Sequence, residues 1–368
     1  MNVLRPAPAV DAAEPLPASE RALTGFGRSP WRRYLMATAA LLGAIVLATA
    51  VGPASIPLEA TARIVLSRLP GVELADSLPA LWRDIIWEVR LPRVLLAGLT
   101  GAVLAMAGAT YQGVFRNPLA DPYLIGVATG PAPGATIVIV TDTPHSWHGL
   151  SVLPMAAFAG AIASVVVVYG VARVGTTLPT TTLILAGVAV ASLSTAITTF
   201  LMLRSTTHTL SVFSVILGSF NTATWGEFVW ALPYALPAAV VILAHGRVLN
   251  VLSLDEEQAR LLGVDPEKTK LLLLGVASLA TAAAVAVAGT IGFVGLIVPH
   301  AVRLLWGPDN RQLLPMSILF GATFLILADL VARTVDQPSE VPVGIITAVC
   351  GVPFFRYLLR RARVGSFW

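Results

Sequence analysis

The chain has little charge. Only 12% of its 368 residues are Asp, Glu, Lys or Arg, about half the share of an ordinary soluble domain. That cannot cover a water-facing surface of this size, so a single soluble globule is excluded. Cysteine is scarcer still: Cys350 is alone, which rules out a disulfide framework. Aromatic residues make up 7%, and no dense Lys/Arg cluster stands beside them, which argues against nucleic-acid binding. Lysine is confined to Lys268 and Lys270. Neither follows a glycine, so the chain has no Walker A phosphate loop and cannot hydrolyse ATP by that route. The five histidines (His145, His148, His208, His245 and His300) come without a cysteine or a third ligand at zinc-site spacing. We therefore expect no metal site and assign no catalytic residue.

Apolar residues are abundant, at 56%. They form long unbroken runs rather than the roughly 10-residue alternating segments of a barrel. Runs long enough for about 20 helical residues fall near 34–51, 91–114, 122–141, 153–174, 181–203, 227–245, 268–289, 291–306, 313–333 and 342–360. The run at 291–306 is the shortest and is punctuated by glycine. Residues 1–33, rich in Pro, Ala and charge, read as a disordered tail before one membrane domain over 34–361. A cleaved signal peptide is the rival reading of the first run, but its leader is long and contains acids.

Placing the N-terminus in the cytosol puts seventeen of the 24 basic residues on the inner side. This is the asymmetry that sets orientation, and it implies an even number of spans with both termini cytoplasmic. A weak internal repeat accompanies it. Ala102–Gly108 (AVLAMAG) matches Ala283–Gly289 (AAVAVAG), and the same offset of 181 maps Pro118 onto Pro299. The two copies would run in opposite directions, as inverted repeats of transporters do. The expected fold is an all-α polytopic membrane protein of ten transmembrane helices in two inverted-topology halves.

Four local features carry chemistry or packing. Ala97, Gly101, Ala105, Ala109 and Gly113 lie four apart on one helix face, a small-residue stripe that lets helices approach closely in lipid. Gln112–Pro122, with two prolines and Asn117, reads as a tight turn between helices or a plain connector. In Ser253–Gly263 (SLDEEQARLLG), Ser253 and Glu256 fit a capping box. Gly263 there fits a helix stop, and Asp265-Pro266 a new start. This rigid charged hairpin, about 253–267, is either a solvated connector or a docking element. Arg90, Arg93 and Arg333 fall on the outer side. Asp84 and Glu88 for the first two, and Asp329 for the third, offer local ion pairs. The other reading is a set of outer cations that meet a partner's acidic groups.

These segments resemble the permease subunits of ABC importers for iron-siderophores, haem and cobalamin. The resemblance is carried by RLPR (90–93), QGVFRNPLADPYLIG (112–126), LILAGVAV (183–190), LDEEQARLLGV (254–264), AGTIGFVGLIVPHAVRL (288–304), ADLVAR (328–333) and EVPVGIITAVCGVPFF (340–355). It covers about 90–361 in order. It implies a multi-pass protein of the cytoplasmic membrane that works as a homodimer or as a pair of related subunits. Two cytosolic ATPase subunits would dock below and a substrate-binding protein above. No cofactor would be bound by this chain, ATP and Mg being held on the partner ATPases.

By the same resemblance, Leu254, Asp255, Glu256, Glu257, Gln258, Ala259, Arg260, Leu261, Leu262 and Gly263 form the ATPase-coupling helix. Arg90, Arg93 and Arg333 dock the binding protein. Asn117 and Leu119, with Thr180 and Thr181, form the cytoplasmic gates. The spans near 181–203 and 342–360 line the translocation path. An ion-coupled secondary transporter without an ATPase is the alternative. It needs carboxylates inside the spans, and only Asp329 and Glu227 come near one. A membrane-embedded enzyme would need a nucleophile or ligand cluster that the sequence does not offer.

Overall fold

The computed structural model describes residues 30–67, 78–143, 146–147, 150–173, 175, 179–204, 209–254 and 256–362. Most of the expected tail lies outside them, but its last residues are already helical. Helix α1 is Pro30–Ala50, followed by α2 (Leu58–Leu66) and α3 (Ala80–Asp84). A π-helical stretch, Ile85–Arg90, leads from α3 into α4 (Leu91–Phe115). After a short 3-10 turn at Pro122–Ile125 come α5 (Pro131–Val140), α6 (Val152–Ala172), α7 (Thr180–Arg204), α8 (Thr209–Leu217) and α9 (Trp225–Ala244). The chain closes with α10 (Gly246–Leu252), α11 (Glu256–Leu261), α12 (Pro266–Ala288), α13 (Val294–Trp306), α14 (Asn310–Ala332) and α15 (Val343–Ala362). A two-residue antiparallel ladder, Ser146–Trp147 with Leu150–Ser151, is the one β element among the described residues. The all-α class holds.

Among the described residues, seven helices are long and apolar enough to cross a membrane: α1, the rod from α3 through α4, α6, α7, α9, α12 and α14. Pro131–Val140, Val294–Trp306 and Val343–Arg356 are apolar but shorter. The ten expected runs coincide with these seven helices and three shorter ones. The run expected from residue 122 becomes helical only at Pro131, because Gly126 takes a left-handed φ of +74° and two prolines follow at 131 and 133. The order long, short, long recurs in α4–α6 and α12–α14. The match at an offset of 181 does not survive. Gly108 lies inside α4 whereas Gly289 lies beyond the end of α12, and Pro118 sits in a turn whereas Pro299 sits inside α13.

Helix α4 is apolar all round, the signature of a helix enclosed by others. Ala97, Ala105 and Ala109 have no exposed surface. Gly101 lies so close to Gly321 of α14 that a Cβ there would stand 2.2 Å from the Gly321 carbonyl oxygen, and a Cβ at Gly108 would stand 1.8 Å from that of Gly295 on α13. The small-residue stripe is thus the packing face expected of it. It draws α14 against α4, while α13 comes in on Gly108, which lies off the stripe.

Candidate functional site

At the end where α4 stops, the chain reverses on Arg116, which takes a left-handed φ of 50°. The Asn117 amide donates to the Gln112 carbonyl at 3.2 Å, closing a Schellman-type helix end. The Leu119 amide donates to Asn117 Oδ1 at 2.9 Å, an Asx turn that leaves Leu119 47% exposed. Thr180 and Thr181 open α7, the first half-buried and the second exposed. The hydroxyl that ties this start down is the neighbouring one: Thr182 Oγ1 donates to the Ala172 carbonyl at 3.0 Å and to that of Pro179 at 2.8 Å.

Asp121 closes the same turn and accepts a hydrogen bond from the Tyr123 amide at 2.9 Å. Burial pushes its carboxyl up to about 6. A raised acid favours the protonated folded state, so folding stability falls as pH rises from about 4, the ordinary carboxylate range, through 6. Asp121→Asn, which keeps the cap acceptor, is expected to flatten this dependence. The melting temperature would equal that of the parent at pH 4.5 and exceed it at pH 7.5. Parallel pH profiles for the two proteins would rule this out.

Beside the turn lies the hairpin that follows α10. Helix α10 rests on the start of α14. Asn250 Nδ2 donates to Asp309 Oδ1 at 2.7 Å, and Asn250 Oδ1 accepts from both the amide and the side-chain Nδ2 of Asn310 at 2.8 Å. Arg116 Nε donates to the Leu252 carbonyl at 2.9 Å. The side chain of Glu256, the expected capping-box partner of Ser253, lies outside the described residues. The Ser253 hydroxyl turns back to the Asn250 carbonyl at 2.6 Å, at the end of α10. Asp255 lies outside the described residues.

The rest of the hairpin follows the expectation. The Gly263 amide donates to the Arg260 carbonyl at 2.9 Å and the Val264 amide to that of Ala259 at 3.0 Å. Asp265 accepts from the Lys268 amide at 3.2 Å, with Pro266 first in α12. The hairpin buries Ala259 and leaves Leu254, Leu261 (84%) and Leu262 exposed.

At the opposite end of α4 the three arginines are buried: Arg90 is 3%, Arg93 8% and Arg333 2% exposed. They do not reach out to solvent, and neither Asp84 nor Glu88 accepts a hydrogen bond from Arg90 or Arg93. Arg93 holds Asp329 through Nε and Nη2 at 2.8–3.2 Å and Glu340 through Nη1 at 2.9 and 3.1 Å. Arg333 makes the expected i,i+4 pair with Asp329 at 3.8 Å and also donates to the Ala48 carbonyl. Arg90 donates to the carbonyls of Thr49, Ala50 and Ala54, where the negative end of the α1 dipole receives a cation. Their exposure in this structure does not fit direct contact with a partner.

The FecCD transport family matches residues 40–361. The chain belongs to the FecCD transport family. The cobalamin import system permease protein BtuC of Halobacterium salinarum is 48% identical over 293 residues, covering 80% of this chain and 78% of that protein. The hemin transport system permease protein HmuU of Yersinia pestis is 41% identical, covering 77% of this chain and 85% of its own. A solved structure described as an inward-facing conformation of a metal-chelate type ABC transporter superposes with a TM-score of 0.76 at 31% identity, covering 90% of this chain and 99% of that one. Members of the FecCD family are membrane permeases, and the multi-pass fold agrees.

Asn250, Asp121 and Glu340 were not singled out from the sequence. Glu340 carried no signal, because its partner Arg93 is 247 positions away. Among the described residues no group of three His, Cys, Asp or Glu side chains is placed to hold a metal ion. His145 and His148 lie outside those residues.

Proposed function

We propose that this FecCD permease pairs with a second permease subunit, most simply its own copy. Together they pass an iron chelate (a ferric siderophore or haem) or cobalamin inward across the cytoplasmic membrane. Two cytosolic ABC ATPases with their own ATP and Mg dock on the hairpin 254–263, and an extracytoplasmic binding protein docks at the Arg90 end. The exposed leucines of the hairpin carry this reading, with the similarity to cobalamin and hemin permeases. The two path helices suit a bulky cargo. Residues 180–203 and 343–355 carry no charged side chain, so no fixed charge on them would trap it.

Docking at the other end does not require the arginines to point outward. Three guanidiniums face two carboxylates, and Glu340, the outermost, has a side chain 24% exposed. An acidic partner surface is drawn to that excess positive charge through space.

Leu261→Asp tests the reading. A buried apolar anchor of an interface is worth about 2 kcal/mol or more, so ATPase copurification is expected to drop at least tenfold. Uptake of cyanocobalamin, haemin or ferric citrate by proteoliposomes of the assembled transporter should drop with it. Full copurification and uptake by the variant would sink the coupling role.

A further inference from the structure

Helix α11 has six residues and exposes most of its surface, so the path of any motion it receives depends on what holds its ends. On its far side stands Gly263, at a φ of +81° with open space around it. On its near side two residues beyond the Ser253 cap separate it from α10, and α10 is clamped three times. Leu249, with no exposed surface, lies beneath Gly113 of α4, 3.2 Å from where a Cβ would stand. Asn250 bonds Asp309 and Asn310 at the start of α14, at 2.7–2.8 Å. The Leu252 carbonyl is gripped by Arg116 at 2.9 Å, and Arg116 is the residue before Asn117.

We infer that Asn250 and Arg116 form the joint through which displacement of α11 reaches the turn 117–119 and helix α14. Arg116 carries the motion to the gate, because its side chain holds the last turn of α10 while its own left-handed backbone sets the direction of that turn. Asn250 carries it to α14, whose 23 residues span about 35 Å and end at the Asp329 cluster. Both are positioning residues: neither touches cargo or nucleotide. The inference rests on the coupling role proposed for α11.

The test uses the transporter assembled with its ATPases. Cys350 is the chain's single cysteine, so Leu119→Cys in a Cys350→Ala background reports gate exposure by its rate of maleimide labelling with and without ATP. In the parent the two rates are expected to differ by at least fivefold. Asn250→Asp sets a second carboxylate against Asp309 and is expected to reduce that difference below twofold, with ATP hydrolysis kept within twofold. Asn250→Asp with Asp309→Asn restores a donor-acceptor pair and should restore the difference.

Arg116→Gln should also lose the labelling difference, and it serves where Asn250→Asp fails to assemble. A full ATP-dependent difference in either single variant would overturn the joint. Leu261→Asp separates the two readings. If it abolishes the difference while the Asn250 and Arg116 variants keep it, only the joint fails. If it leaves the difference intact, the coupling role of α11 fails.

Discussion

Replacing Asp329 with alanine is expected to destabilise the folded permease by about 3–5 kcal/mol, the usual cost of stripping one partner from a buried ion pair. Asp329 is 1% exposed and serves two cations, Arg93 at 2.8 Å and Arg333 at 3.8 Å. Without it Arg93 keeps only Glu340, and Arg333 keeps only a main-chain carbonyl. Water cannot take over, because the guanidiniums lie beneath the packed ends of α1, α4 and α14. Asp329→Asn keeps acceptor oxygen and loses charge, so its effect should fall between alanine and the parent.

Glu340→Gln should cost least, about 1 kcal/mol, because that side chain is 24% exposed and water can replace it. Unfolding temperatures of the purified protein in one detergent should therefore order as parent, Glu340→Gln, Asp329→Asn, Asp329→Ala. An alanine variant melting within about a degree of the parent would mean that the three arginines need no counter-charge here. Their compensation would then have to come from main-chain carbonyls alone.

The same cluster shows where sequence reading stops. Hydrophobic length is a local property, so each of the ten apolar runs announced a helix. The stop at Gly263 and the start at Asp265-Pro266 were legible for the same reason: each is decided within four or five residues. The bond from the Ser253 hydroxyl to the Asn250 carbonyl was not legible, because a hydroxyl serves equally well to end one helix or begin the next. The ion pair of Arg333 with Asp329 was legible at a spacing of four. Those of Arg93 were not, because its partners are 236 and 247 positions away, and Asp84 and Glu88 were nearer in sequence. Helices α2, α8 and α10 are seven to nine residues long, too short to show a period of 3.6. The hairpin about 253–267 and the turn at Asn117 were legible as elements, but the bonds of Asn250 and Arg116 were not, because they depend on where α10 and α14 lie in space.

Gly108→Ala is the second large effect, and it needs only one methyl group. The new Cβ would stand 1.8 Å from the Gly295 carbonyl oxygen, 2.4 Å from its carbon and 2.5 Å from its Cα. All three are backbone atoms, so no rotamer change relieves the clash, and α13 must move away from α4. It has little room to do so. Gly295 itself packs against the Leu104 carbonyl and Pro122, and α4 is pinned on another face where Gly101 meets Gly321. Helix association in lipid relies on close packing rather than on exclusion of water, so separating α4 from α13 forfeits the contacts that hold the pair. Overpacking of this kind costs about 1–3 kcal/mol and can cost more.

Gly43→Ala in α1 is the control, because nothing lies within 4 Å of its Cβ position. Alanine in an open helical position should gain about 0.5–1 kcal/mol. The two glycines have the same chemistry and opposite expected signs: Gly108→Ala should lose folded yield and melting temperature while Gly43→Ala matches or exceeds the parent. If both variants behaved alike, the close approach of α4 and α13 would not be what holds this bundle together.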